Sequence, residues 1–253
     1  MITIKNLTAT YSGKTILSDL NITIPHGKIT ALIGPNGCGK STLLKAISGS
    51  LKTTGSVVLL DQDLKELSSK KRAKLLSILP QSPITPEGIS VRQLVNFGRN
   101  PYLSHWGGLT AQDKQKVSDA LQETSLTELA ERPVDSLSGG QRQRAWVAMI
   151  IAQDTEYVLL DEPTTYLDLT HQIELMEMMR LMNIQGKTII VVLHDLNQAC
   201  RYCDHLVVMK NGKIVAQDSP DNIFNSELLE QVFDLNAMVI KDPIAGKPMC
   251  IPL

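Results

Sequence analysis

The chain has 253 residues, 43% of them hydrophobic, with 25 Lys plus Arg against 26 Asp plus Glu and a formal charge of −1. That is enough for one large α/β domain with a smaller inserted lobe, and so even a charge balance gives no reason to expect binding to nucleic acid or to anionic lipid. Aromatic residues at 4% argue against a stacking platform for single strands, and no apolar run approaches the ~20 residues that span a bilayer.

Residues 1–6 alternate like a strand and lack the charged leader and apolar core of a secretory signal, so membrane association is expected through a partner, without direct lipid insertion. Alternation predicts half-buried strands over 2–9 and 20–25, separated by the turn-rich Tyr11-Ser12-Gly13-Lys14. A β-rich run over 28–33 ends in glycines, and a helix is predicted over 41–47. Short apolar runs at 57–60, 75–79, 157–160, 188–193 and 206–209 have the character of buried sheet strands. Helical patterns alternate with the last of these, the βαβ layout of a doubly wound α/β domain. Between Pro83 and Gln153 helix patterns dominate, which predicts a helical lobe inserted into that core. After Pro220 a short helical stretch precedes 237–240 and 248–251, a candidate terminal hairpin.

Gly34-Pro35-Asn36-Gly37-Cys38-Gly39-Lys40-Ser41 fits GxxxxGK[ST] directly after a predicted strand and directly before a predicted helix. Glycines let the backbone wrap tightly with its N–H groups aimed at phosphate oxygens. The helix that begins at Lys40 adds its positive end. Lys40 is expected to reach the β- and γ-phosphates and Ser41 to ligate Mg²⁺, and Thr42 completes the nucleotide-binding run. A Gly-rich turn matching by accident would lack the flanking strand and helix.

Tyr157-Val158-Leu159-Leu160-Asp161-Glu162 is an apolar strand ending in two carboxylates and stopped by Pro163. Strand alternation predicts that the two acids point differently. Asp161 suits the Mg²⁺ shell, and Glu162 suits polarising the water that attacks the γ-phosphorus. Alone, two acids at a strand end are more often a solvated turn; beside a phosphate loop the catalytic reading prevails.

Leu137-Ser138-Gly139-Gly140-Gln141-Arg142-Gln143-Arg144 precedes a helix predicted to run to about 153. A hydroxyl and two glycines at a helix N-terminus form a second anion-binding site, in the separate helical lobe. Here the sequence resembles the ABC ATPase family, whose LSGGQ motif is highly specific. The resemblance covers residues 2–251 and implies a P-loop NTPase (RecA-like) parallel-sheet core, an N-terminal antiparallel β subdomain and the inserted lobe. It makes 1–253 a single ATP-binding domain with core 1–82 and 154–253 and lobe about 83–153. It implies ATP and Mg²⁺ as cofactors and a head-to-tail dimer. In that dimer Ser138 and Gly140, with Gly139 and Gln141 beside them, face the γ-phosphate held by a second copy.

Other positions match the family's motifs in order. Tyr11 stands where the family places an aromatic that stacks on adenine, although by itself it would be an ordinary turn tyrosine. Gln81 matches a glutamine that senses Mg²⁺ and water, and His194 matches a histidine that hydrogen-bonds the γ-phosphate. Asp168, in Thr165-Tyr166-Leu167-Asp168, matches the D-loop aspartate, where the family more often has Ser-Ala-Leu-Asp. His26, His105, His171 and His205 show no ligand spacing and receive no role.

Asn96-Phe97-Gly98-Arg99-Asn100-Pro101-Tyr102-Leu103 and Trp106-Gly107 are similar to the subgroup serving importers of iron chelates and cobalamin. Ile84-Thr85-Pro86-Glu87-Gly88-Ile89 and Gly246-Lys247-Pro248-Met249-Cys250 point within it to ferric dicitrate, a siderophore being the other iron-chelate cargo. The implied function is the ATP-hydrolysing subunit of an importer, on the cytoplasmic side of the plasma (inner) membrane. Its implied partners are polytopic permease subunits and, indirectly, an extracytoplasmic substrate-binding protein. Exposed Tyr102, Leu103 and Trp106 would suit a groove for a permease helix, against the alternative of a small lobe core. The competing functions are a soluble ABC ATPase, as in iron–sulfur cluster assembly, a P-loop kinase, for which LSGGQ has no use, and a purely structural dimerisation module. Lys70-Lys71-Arg72-Lys74 is expected to be a solvated helix face. Cys38, Cys200, Cys203 and Cys250 are expected to be reduced, partly buried thiols, since Cys200-Arg-Tyr-Cys203 lacks a second pair.

Overall fold

The computed structural model describes residues 1–11, 13–104 and 107–253, so Trp106 of the expected permease patch lies outside the described residues. The chain folds as two compact units, Met1–Leu67 with Thr188–Leu253, and Ser68–Lys187.

The first unit begins with an antiparallel hairpin of β1 (Ile2–Tyr11) and β2 (Lys14–Ile24). Strand β2 starts well before the alternating run 20–25. Asp19 adopts φ 51, and the register shifts nearby, so Leu17 and Leu20 are both buried although three residues apart. That bulge broke the period-two pattern that a sequence reading relies on. Every residue of β3 (Ile29–Ile33) is buried, and the strand feeds the phosphate loop and α1 (Lys40–Ile47). β4 (Thr54–Leu59) pairs with β1, and β5 (Gln62–Asp63) with β4, closing an antiparallel sheet of order β2-β1-β4-β5.

The second unit opens with α2 (Ser69–Leu75), capped by Ser68, which leads directly into β6 (Leu76–Leu79). Lys70, Lys71 and Lys74 are exposed on α2. Next come α3 (Val91–Asn96), α4 (Ala111–Glu123) and α5 (Gly139–Gln153). Each starts at a capping box, Ser90/Gln93, Thr110/Asp113 and Ser138/Gln141, in which side chain and backbone satisfy each other's free donors. Helices α3 and α4 pack on α5 through Val91, Leu94, Val95, Val117 and Leu121. β7 (Tyr157–Asp161) then runs parallel to β6, and α6 (Leu169–Ile184) ends the unit.

The segment 97–102 corrects the expected exposed patch. Arg99 is buried and donates to Asp113 at 2.8 Å and to the Ala152 carbonyl at 2.7 Å, tying this segment to α4 and α5. Tyr102 is half-buried, with the Arg99 guanidinium 3.9 Å from its ring centroid and the Lys74 ammonium 5.2 Å away. Leu103 is half-buried as well. An aromatic ring over a desolvated guanidinium is packing of the lobe itself. Phe97, at the start of the segment, and Ile84 are exposed apolar side chains of this unit.

The chain returns to the first unit with β8 (Thr188–Val192), α7 (Leu196–Tyr202), β9 (His205–Lys210) and β10 (Lys213–Asp218). β3 lies between β8 and β9 and parallel to both, and β10 pairs antiparallel with β9. Strand β10 escaped the sequence reading because none of its side chains is fully buried, so no apolar run marks it. After α8 (Pro220–Ile223) and α9 (Ser226–Phe233), β11 (Ala237–Lys241) and β12 (Pro248–Pro252) form the terminal hairpin expected from the sequence. The four cysteines are free and buried. Among the described residues no helix is long and apolar enough to cross a membrane.

Candidate nucleotide site

In the first unit the phosphate loop connects the buried end of β3 to α1. Gly34 adopts φ 151, and a Cβ there would lie 2.2 Å from the Met209 carbonyl oxygen and 2.9 Å from Cys38 Sγ. Gly39 caps α1 at φ 106, and no side chain caps the helix start, which is the positive end of the helix. Lys40 is only 5% exposed, and its ammonium donates to the carbonyls of Gly34 at 2.7 Å and Pro35 at 3.1 Å. A buried cation held by two neutral carbonyls and the Cys38 thiol, beside a helix N-terminus, is chemistry that suits a polyphosphate. Burial raises the Cys38 thiol above its ordinary range, keeping a neutral group in the loop. Asn36 and Gly37 are exposed at the loop's apex, Pro35 is half-buried before them, and Ser41 and Thr42 are half-buried in the first turn of α1.

Two further expected residues belong to this unit. Tyr11 is 69% exposed at the end of β1, opposite Lys14 across the hairpin. His194 is exposed just after β8, and the next residue, Asp195, caps α7 by accepting from the amides of Asn197 and Gln198.

The second unit holds the two acids. Asp161, 3% exposed, is the last residue of β7. Glu162 is already outside the strand, at φ 50, a left-handed conformation uncommon for a residue with a long side chain. The two acids therefore diverge through a backbone turn rather than through strand alternation. Gln81 brings its amide within 2.5 Å of Glu162 Oε2, and the Thr165 hydroxyl lies 3.4 Å from the same oxygen. Two neutral donors converge on the carboxylate expected to activate water.

The signature segment starts α5 with Ser138 and Gly139 exposed and Gly140 buried. Ser138 Oγ accepts from the Gln141 amide at 3.3 Å, and Gln141 Oε1 accepts from the Ser138 amide at 3.1 Å. Asp168 caps α6 by accepting from the His171 amide at 2.9 Å. His171 also contacts Glu174, which pairs with Arg144 of α5. The sequence reading had no role for these three residues, nor for Thr165. The spacing of Asp168 and His171 was visible, but not what the histidine faces.

Of the residues expected at a divalent cation, Ser41 in the first unit carries a hydroxyl, and Gln81 and Asp161 in the second carry an amide oxygen and a carboxylate. These hard oxygens suit Mg²⁺, which is held by few protein ligands together with substrate phosphates. Among the described residues no group of three His, Cys, Asp or Glu side chains could hold a metal by itself.

The model of the ABC transporter family matches residues 17–165, more than half of the chain. The chain belongs to the ABC transporter family. As an ABC cassette it is an ATPase. The cassette is 52% identical over 253 residues to the achromobactin transport ATP-binding protein CbrD of Dickeya dadantii (strain 3937), covering 99% of this chain and 94% of that one. It is 46% identical over 251 residues to the ferric enterobactin transport ATP-binding protein FepC of Escherichia coli (strain K12), covering 98% and 93%. A solved structure assigned to a metal-chelate type ABC transporter, in an inward-facing conformation, superposes with a TM-score of 0.86 at 28% identity, covering 100% of this chain and 97% of that one. A dimeric ATP-binding cassette bound to ADP and Pi matches with a TM-score of 0.76 at 28% identity, covering 87% and 98%.

Proposed function

We propose that this cassette energises import of a ferric siderophore chelate through a separate polytopic permease, from the cytoplasmic face of the plasma membrane. The observation that carries the cargo class is end-to-end similarity, at 46–52% identity, to ATP-binding subunits named for achromobactin, siderophore, iron(3+)-hydroxamate and ferric enterobactin transport. Ferric dicitrate remains a member of the same chelate class. The division of labour in the chain is a single ATP-binding domain with core 1–82 and 154–253 and lobe 83–153. Ile84 and Phe97 are exposed apolar side chains that the lobe offers to the permease.

The residues take the following roles. Tyr11 stacks on adenine, and the amides of residues 34–42 with the Lys40 ammonium hold the triphosphate. Ser41, Gln81 and Asp161 would hold Mg²⁺, which when bound would neutralise charge on the phosphate oxygens. Ser138, Gly139, Gly140 and Gln141 of a second copy close on the γ-phosphate, and Asp168 lies at the junction of the two copies. Glu162 accepts the proton of the attacking water, Gln81 orients that carboxylate, and His194 donates to the γ-phosphate as charge develops. Hydrolysis separates the two copies and resets the permease.

Deletion of the gene followed by uptake of radioactive iron on several chelates tests this reading. Uptake of at least one ferric siderophore should be lost and be restored by the intact gene. It should not be restored by Lys40→Ala. Unchanged uptake of every ferric chelate, citrate included, would refute the cargo assignment. Failure of the tagged cassette to co-purify with any polytopic membrane protein would refute the transport role.

A further inference from the structure

We propose that His171 is a positioning residue that sets the spacing between the signature segment and the D-loop, so that both present correctly to a second copy. This inference rests on the dimeric ATPase reading above. It concerns a residue outside every motif that reading uses.

The argument starts at Gly140. Glycine there is expected from the need to approach a phosphate closely, but the structure supplies a second reason. A Cβ on Gly140 would lie 2.5 Å from Cδ2 of His171 and 2.7 Å from Cγ and Nε2. The imidazole ring therefore lies directly against the start of α5. The ring is fixed from below as well. The His171 amide donates to Asp168 Oδ1 at 2.9 Å, placing the residue in the first turn after the D-loop.

The ring's other edge is held by charge. His171 Nδ1 is 3.0 Å from Glu174 Oε2, and the same oxygen accepts from Arg144 at 2.7 Å. The hydrogen bond from His171, followed by the Arg144 charge, holds the Glu174 carboxyl below its usual range, so the bridging group is an anion. An ionised carboxylate only accepts, so Nδ1 carries the proton. Arg144 belongs to the signature helix and Glu174 to the D-loop helix. One ring thus abuts the signature glycine, while its proton is shared with an ion pair that joins the same two helices. The His171 and Arg144 side chains are 32% and 20% exposed, so the network is partly shielded from water. A packed ring has few alternative positions, which makes it a spacer rather than a flexible contact.

The test uses the full chain carrying Glu162→Gln, which slows hydrolysis, with His171→Ala and His171→Gln added. ATP-induced dimerisation is measured by sedimentation, and ATP binding to the protomer by titration with a fluorescent ATP analogue. With His171→Ala, dimerisation should weaken by about tenfold while nucleotide affinity stays within about twofold, in line with coupling effects of residues that touch neither ligand. His171→Gln, whose amide can still donate to Glu174, should recover most of the loss. In the otherwise native chain, kcat should fall with KM for ATP little changed. Should His171→Ala lower Tm by more than about 5 °C, Glu174→Gln, which keeps shape and removes the anion, should still weaken dimerisation by about threefold. Unimpaired dimerisation in folded His171→Ala or in Glu174→Gln overturns the proposal alone. A parent protein that stays monomeric with ATP overturns the dimer reading together with it.

Discussion

Replacing Glu162 by Gln removes one proton acceptor and almost nothing else. The side chain keeps its length, the backbone keeps φ 50, and Gln81 still has an oxygen to donate to. The contact with Gln81 loses its charge assistance, and because Glu162 is half-exposed this should cost no more than about 1 kcal/mol of stability. Tm should therefore shift by no more than about 3 °C. The effect on chemistry is larger. A positioned general base contributes roughly 10²–10⁴ in rate, or about 2.7–5.5 kcal/mol of barrier at 1.36 kcal/mol per decade. Phosphate release under saturating ATP should fall by that factor, nucleotide affinity should stay within about twofold, and an ATP-bound dimer should accumulate in gel filtration. Gln81→Ala is the informative companion. It removes the orienting donor while keeping the base, so its loss should be smaller, about tenfold. A Glu162→Gln enzyme within tenfold of the parent rate, or one whose loss merely follows weaker ATP binding, would take the general-base role away from this carboxylate.

Three other outcomes follow from the same geometry. Lys40→Ala removes the buried ammonium that now bridges the Gly34 and Pro35 carbonyls, and ATP affinity should fall by at least about tenfold in equilibrium titration. Gly34→Ala forces a methyl group to within 2.2 Å of the Met209 carbonyl; with the positive φ, this should destabilise the first unit by about 2 kcal/mol, seen as a lower denaturation midpoint. Asp113→Asn leaves buried Arg99 without its anion, costing about 3 kcal/mol near neutral pH. The hydrogen bond from Thr110, and then the Arg99 contacts, hold Asp113 below its ordinary 3.8 in the folded chain. A depressed folded value stabilises above the unfolded value and is lost as pH falls through the folded one, so the Tm gap between wild type and Asp113→Asn should close below about pH 4. A constant gap from pH 7 to pH 3 would show that Asp113 is not held by charge.

Loss of the Asp113 anion matters because of Arg99, and nothing in the run Asn96-Phe97-Gly98-Arg99 announces that Arg99 is buried. A charged residue beside a tyrosine looks like surface in one dimension. Only the packing of the 97–102 segment over α4 and α5 turns Arg99, Asp113 and the Ala152 carbonyl into one satisfied group. The same holds for β2 and β10. A bulge at Asp19 hid the first half of β2, and the exposed faces of β10 gave no apolar run, because burial there is decided by neighbours rather than by composition.

What the sequence determined by itself is the strand–glycine loop–helix run over 28–47, the hydroxyl and glycines that start the helix after Leu137, and the strand-to-carboxylate step at Asp161. Each is built from residues adjacent in the chain, and its physics is local: glycine dihedrals, free amides at a helix start, a hydroxyl three residues before its partner amide. What only the tertiary structure decided are meetings between distant segments. Gln81 reaches Glu162, Arg144 reaches Glu174, and His171, a histidine with no motif to its name, closes against Gly140. Side-chain reach is a few ångströms, and which faces come within it depends on how helices and strands pack.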